Sequence, residues 1–285
     1  MSAAAGEIPV TFQCGGATLL GVLHRPAGAP RTGVVIVVGG PQYRVGSHRQ
    51  FVLLGRRLAA SGIAALRFDC RGMGDSEGDF PGFEATAPDI AAALAALRRL
   101  VPSIDRPVLW GLCDGAAAIT LSANAGPKVA GLVLLNPWVR TEASHAQARL
   151  KHYYLQRLVD PDLFRKIARG EFRPFEALGS LLAHLRRAFG RSGEEGDPRA
   201  ALPERMALGL AGHAGPLLLI LSGRDLTAHE FADVTRQSAR WRRILDSSRL
   251  TRHELPEADH TFSRREWSER VEDWTLRWIA EQIGV

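Results

Sequence analysis

The run PVLWGLCDGAAA, residues 107–118, decides the fold. Pro107–Gly111 is short, apolar and free of polar alternation, the pattern of a strand buried on both faces. An Ala-rich helix follows over Asp114–Ala125. Between them, Gly111-Leu112-Cys113-Asp114-Gly115 leaves no room for a loop, so Cys113 sits at the apex of a tight strand-to-helix turn. Such a turn strains the backbone of its apex residue, and small residues two positions to either side keep the chain from clashing. The Cys113 side chain is thereby held out at the carboxyl edge of the sheet, where open α/β sheets bind ligands. The start of the helix favours thiolate over thiol and a developing oxyanion over a neutral carbonyl. As a bare string, G-x-C-x-G also fits a buried structural cysteine flanked by turn glycines. Its place between strand and helix gives it specificity.

Outward from this turn, short apolar segments alternate with helical patterns, the signature of a mostly parallel sheet covered by helices. Pro9–Cys14 and Thr18–His24 read as a hairpin around Gly15-Gly16. Strands are predicted over Gly33–Val38, Ile63–Asp69, Val129–Asn136, Pro216–Ser222 and Arg249–Leu255. Helices are predicted over His48–Ser61, Ala85–Val101, Ala228–Leu245 and Arg264–Ile283. In the second of these Ile90, Leu94, Leu97 and Val101 recur at three- and four-residue spacing, and Pro88 falls in the first turn. After Pro137 the alternation breaks for about seventy residues, a length read directly from the chain. That stretch is helical in pattern and carries Tyr153, Tyr154, Phe164, Phe172, Phe175 and Phe189 before a polar run, RSGEEGDPR, that reads as mobile. The expectation is therefore an eight-stranded α/β core, residues 1–138 and 213–285, interrupted once by a helical lid over 139–212.

A cysteine nucleophile needs a base and a group to orient that base. In an architecture of this kind the acid and then the histidine follow in later strand-end loops. Asp225 lies just past Leu217–Ser222 in Gly223-Arg224-Asp225, and His260 lies past the last strand in Glu257-Ala258-Asp259-His260-Thr261. Both then project from the same edge as Cys113. The rival acids Asp233 and Asp246 fall within or at the end of a helix, and the rival bases His229 and His253 near a helix start and inside a strand.

An oxyanion hole needs two N–H donors aimed at one point. One is expected from the amide of Asp114. The other is expected from the loop Gly39-Gly40-Pro41-Gln42; Pro41 has no N–H, so Gly40 is the first candidate and Gln42 the fallback. The Asp114 carboxylate should raise the thiol pKa, while the helix start and a protonated His260 act the other way. The loop Asp69–Gly78 reads as scaffolding, with Asp69 and Arg71 bonding loop backbone rather than substrate.

Composition narrows the partners. The chain has 285 residues, 46% hydrophobic and 23% charged, which is enough for one large α/β domain. Three scattered cysteines make neither a disulfide framework nor a zinc site, and neither cofactor nor metal is expected. The formal charge is +6, but 33 of the 36 basic residues are Arg and no basic run is interleaved with aromatics, so nucleic acid is not the expected partner. No apolar run reaches the roughly 20 residues of a membrane span, and residues 1–7 lack the features of a secretory signal, so a cytoplasmic setting is expected. The expected ligand is a small acyl compound.

Together, D-x-R-G-x-G-x-S-x-G at 69–78, the turn at 111–115, the acid at 225 and the histidine at 260 resemble the α/β-hydrolase superfamily over nearly the whole chain. More narrowly, GGPQYRVGSHRQF, FDCRGMGDSEGDF, WGLCDGAAA and EADHTFS resemble the exosortase A system-associated hydrolases, hydrolase 1 of that group in particular. The resemblance implies the α/β-hydrolase fold, a hydrolase and a bacterial exopolysaccharide and protein-sorting context, with the lid as a candidate docking surface for a membrane or exopolysaccharide complex. Most of the superfamily carries Ser where this chain has Cys113; dienelactone hydrolase, which it also resembles there, uses Cys. The expected reaction is hydrolysis of an ester, thioester or lactone through an acyl-enzyme. Transfer of the acyl group to a sugar or other alcohol, and a non-catalytic accessory protein keeping the fold, are the rival readings.

Overall fold

The structure is a computed structural model and describes residues 5–39, 42–124, 126–140 and 201–285. Strands run in chain order β1 (Gly6–Cys14), β2 (Ala17–Arg25), β3 (Thr32–Val37), β4 (Ala64–Phe68), β5 (Arg106–Leu112), β6 (Gly131–Leu135), β7 (Leu217–Ser222) and β8 (Leu250–Leu255). They form one eight-stranded sheet ordered β1-β2-β4-β3-β5-β6-β7-β8. β1 pairs antiparallel with β2 and β2 with β4, and every other pair is parallel. The eight-stranded, mostly parallel sheet expected from the sequence is thus present. β3 and β5–β7 are almost wholly buried, which is why they read as unbroken apolar runs rather than alternating ones. β1 and β8, at the two edges, alternate.

The helices described are α1 (Gln50–Ala60), α2 (Ala87–Leu100), α3 (Asp114–Ser122), α4 (Leu202–Gly212), α5 (Leu226–Gln237), α6 (Ala239–Leu245) and α7 (Arg265–Trp278). α3 is buried along most of its length, so its small Ala and Gly side chains let it lie close against the sheet. Trp110 of β5 meets Phe51 of α1 edge-on, with ring centroids 5.7 Å apart. Arg57 of α1 reaches Glu272 of α7 at 3.2 Å.

Two helices differ from the sequence expectation for local reasons. The single helix expected over 228–245 is two helices, because Ser238 takes an extended conformation and its hydroxyl accepts from the Trp241 amide, capping α6. The helix expected from His48 begins at Gln50, because His48 and Arg49 hold positive φ angles in a short 3₁₀ turn.

By contacts the chain separates into two compact units, Met1–Val139 with Arg205–Val285, and Arg140–Glu204. The aromatic run from Tyr153 to Phe189 and the RSGEEGDPR stretch lie outside the described residues. Among the described residues no helix is long and apolar enough to cross a membrane.

Candidate active site

Cys113 stands between β5 and α3 with φ 59° and ψ −123°, a backbone state that non-glycine residues avoid. The surrounding chain over-determines it. Its amide donates to the Leu135 carbonyl at 2.9 Å, and its carbonyl accepts from Ala117 at 3.0 Å and Trp138 at 3.1 Å. The flanking glycines are needed for space. A Cβ on Gly111 would come 2.8 Å from the Gly115 carbonyl carbon, and one on Gly115 would come 2.5 Å from the Val37 carbonyl oxygen. Gly39, just after β3, lies so close to the Asp114 carboxylate and the Gly115 amide that no side chain fits there.

The loops after β7 and β8 bring the expected acid and base to this point. Asp225 is buried and caps α5, accepting from the Thr227 amide at 3.0 Å and the Ala228 amide at 3.2 Å. Its Oδ2 also meets His260 Nδ1 at 2.8 Å. With Nδ1 engaged, Nε2 is the nitrogen left to serve the cavity that Cys113 and His260 both line. The hydrogen bond to Asp225 and then the neighbouring Cys113 push the imidazole up to about 10, against the opposing effect of burial. Carboxylate and imidazole are thus in contact, and the imidazole shares a cavity with the sulfur. The rival residues are engaged elsewhere: His229 bonds the Gly223 carbonyl at 2.8 Å, His253 stacks on Trp274 with centroids 4.3 Å apart, and Asp233 pairs with Arg236 on the surface.

The Asp114 amide heads α3, where first-turn N–H groups lack partners within the helix. Gly40, the first candidate for the second donor, lies outside the described residues; Gln42, the fallback, lines the cavity beside Cys113. The loop carrying both is anchored two residues on. The Arg44 amide donates to Asp69 Oδ1 at 2.6 Å, its guanidinium bonds Asp69 and reaches Asp75 at 2.6 Å, and its carbonyl accepts from Arg67 at 3.3 Å. Asp69, at the end of β4, is wholly buried. Arg71 binds Asp89 of α2 through its amide at 3.0 Å and its guanidinium at 3.0 and 2.9 Å. Ser76 Oγ donates to the Asp69 carbonyl at 2.8 Å and accepts from Leu20 at 2.9 Å. The glycine-rich loop is scaffolding that ties β2, β4, α2 and the loop after β3 together.

A cavity of about 340 Å³ opens beside the thiol. Phe51, Phe83, Leu112 and Trp138 give it an apolar wall, with Gln42, Asp114 and His260 as polar groups. Phe83 and Trp138 escaped the sequence reading because each sits in an irregular segment with no periodicity to flag it. Asn136 escaped it too, although it ends a strand on the carboxyl edge, the position that had pointed to Asp225. Among the described residues no group of three or more His, Cys, Asp or Glu is arranged to hold a metal ion.

Comparison with known proteins agrees with this architecture. The chain is similar over 98% of its length, and 92% of the other's, to an esterase of Pyrococcus furiosus, Pf2001, at 15% identity and a TM-score of 0.67. It is similar over 97% of its length, and 100% of the other's, to Est1E of Butyrivibrio proteoclasticus with ferulic acid bound, at 16% identity and a TM-score of 0.63. An alpha-beta serine hydrolase homologue from Coxiella burnetii aligns over 97% of this chain and 99% of its own, at 16% identity and a TM-score of 0.59. At such identities these likenesses speak for the fold alone. No curated relative matches by sequence. The model of the alpha/beta hydrolase family matches residues 34–274, most of the chain and every strand from β4 to β8, and the protein belongs to that family.

Proposed function

We propose that the protein hydrolyses an ester, thioester or lactone through a covalent acyl-enzyme on Cys113. The observation that carries this reading is the contact of Asp225 with His260 at 2.8 Å, with Cys113 and that ring lining one cavity. An imidazole pushed up to about 10 is protonated at neutral pH, which suits a thiolate–imidazolium pair. The Cys113 thiolate adds to the substrate carbonyl, forming the C–S bond and moving the π electrons onto oxygen. The Asp114 amide and a donor from the loop after β3, Gly40 or Gln42, hold that oxyanion. As the intermediate collapses, His260 gives its proton to the departing alcohol or thiol. The ring, now neutral, takes a proton from water, whose hydroxide attacks the thioester and releases the acid and the thiolate. Asp225 keeps the ring oriented and stabilises its charged form. The apolar wall of the cavity favours a partly apolar acyl group.

To residues 139–212 we assign the role of a helical lid. The biological setting, a cytoplasmic enzyme of a bacterial exopolysaccharide system, rests on the resemblance to the exosortase A group, and docking of the lid to such a complex belongs to the same reading. The test is a panel of p-nitrophenyl esters and acyl thioesters of increasing chain length, with iodoacetamide labelling of Cys113 alongside. Turnover lost in Cys113→Ala and His260→Ala supports the mechanism. Labelling without turnover of any panel member favours an accessory protein, and turnover only with an added alcohol favours acyl transfer.

A further inference from the structure

Asn136 ends β6 in the left-handed region at φ 41° and is fully buried. Its side chain uses both ends. Oδ1 accepts from the Ser222 amide at 2.9 Å, while Nδ2 donates to Ser222 Oγ and, at 3.0 Å, to the main-chain carbonyl of His260. Its own amide donates to Ile220 at 3.1 Å. The amide orientation is dictated by its partners, since the Ser222 N–H needs an acceptor and the His260 carbonyl needs a donor. The residues either side of it carry Cys113: Leu135 accepts from the Cys113 amide at 2.9 Å and Trp138 donates to the Cys113 carbonyl at 3.1 Å. A four-residue stretch thus holds the main chain of the sulfur and the main chain of the imidazole at once.

We propose that Asn136 is a positioning residue that fixes the His260 loop against the end of β6 and so sets the reach between the Cys113 sulfur and the His260 ring. The inference rests on the cysteine-nucleophile reading above. The groups facing that ring are Cys113 and Asp225, with Asp114 lining the same cavity from the start of α3. Asn suits the place on two counts: it tolerates left-handed backbone, and it supplies an acceptor and two donors on one short stem. Aspartate would keep the acceptor for the Ser222 amide, and the Ser222 hydroxyl can turn to donate to it, yet it sets an oxygen against the His260 carbonyl, so of the Asn136 bonds Asn136→Asp loses the one to His260 without replacement.

The experiment follows iodoacetamide labelling of Cys113 against pH in the full chain, with hydrolysis of a p-nitrophenyl ester measured in parallel. Asn136→Asp and Asn136→Ala should each slow labelling at neutral pH about tenfold. Ester turnover should fall in kcat with little change in KM. Thr32→Ala, which removes a buried hydroxyl at the start of β3, the opposite strand end from Cys113, that donates to the Gly284 carbonyl at 2.6 Å, should lower Tm without moving the profile. An Asn136→Asp profile superimposed on that of the parent protein overturns the positioning role while leaving the nucleophile intact. An ordinary thiol profile in the parent protein overturns the nucleophile reading, and the role of Asn136 falls with it.

Discussion

Gly115 at the head of α3 and Val37 at the end of β3 are packed main chain against main chain, with the Val37 carbonyl oxygen 2.5 Å from where a Gly115 methyl group would stand. No side-chain rotation can relieve that approach. Gly115→Ala must therefore move β3 or α3, and it should lose roughly 1–3 kcal/mol in urea unfolding. Cys113 labelling should slow with it. An unfolding midpoint equal to that of the parent protein would contradict this packing.

The ionisation of His260 gives a pH prediction with a definite sign. Its folded pKa of about 10 lies above the ordinary 6.5, so the pair contributes stability that is complete below 6.5 and lost as pH rises through about 10. Cys113, which lines the open cavity, should label with iodoacetamide in the folded protein. Cys14 and Cys70, both buried and both pushed up chiefly by burial, should label only after unfolding. Peptide mapping of the labelled sites decides it; equal labelling of all three cysteines would remove the pair.

His24 should make the fold acid-labile. Its buried ring accepts from Arg67 Nε at 2.8 Å, and burial, then the Arg67 charge, hold it down to about 4. Glu7 pulls the other way and Arg56 adds to the lowering. A folded value below the ordinary 6.5 means that the unfolded chain takes up the proton first. The stability is intact above 6.5 and is lost as pH falls through about 4, on the order of 3 kcal/mol in all. His24→Gln keeps an acceptor for Arg67 and should flatten this part of the curve, measured by urea unfolding between neutral and acid pH. An unchanged slope would assign the acid sensitivity to other groups.

Asp225 caps α5 and meets His260, two contacts that substitution can separate. Asn caps a helix about as well as Asp, so Asp225→Asn should lose only the stability of the charged contact with His260, while ester turnover falls roughly 10²- to 10⁴-fold. Asp225→Ala loses the cap as well and should give up a further 0.5–2 kcal/mol or so. Turnover and chemical unfolding measured on both variants test the division; full activity in Asp225→Asn would remove the carboxylate from the chemistry.

Much of this molecule could be read in its sequence because the decisive signals are local. Val34–Val37 and Leu217–Leu221 are apolar without interruption since both faces are covered, and Gly111 and Gly115 flank Cys113 because nothing larger fits. What was hidden rests on individual side-chain hydrogen bonds, near or far in the chain, that periodicity does not register. Ser238 breaks a helix that periodicity alone would continue, by offering its hydroxyl to Trp241. The capping role of Asp225 was missed because the helix seemed to begin at Ala228, two residues past its observed start at Leu226. Asn136 reaches Ser222, 86 residues away, and His260, 124 residues away, and no spacing rule links them.

The buried carboxylate at the end of β4 has a consequence for how such sites are compared between proteins. Asp69 supplies no atom to the proposed chemistry, yet through Arg44 it holds the strip of chain that carries Gln42, a candidate for the second oxyanion donor. Damage to Asp69 would then look, in an assay, like damage to the chemistry itself, and a survey limited to atoms touching the substrate would never find its source.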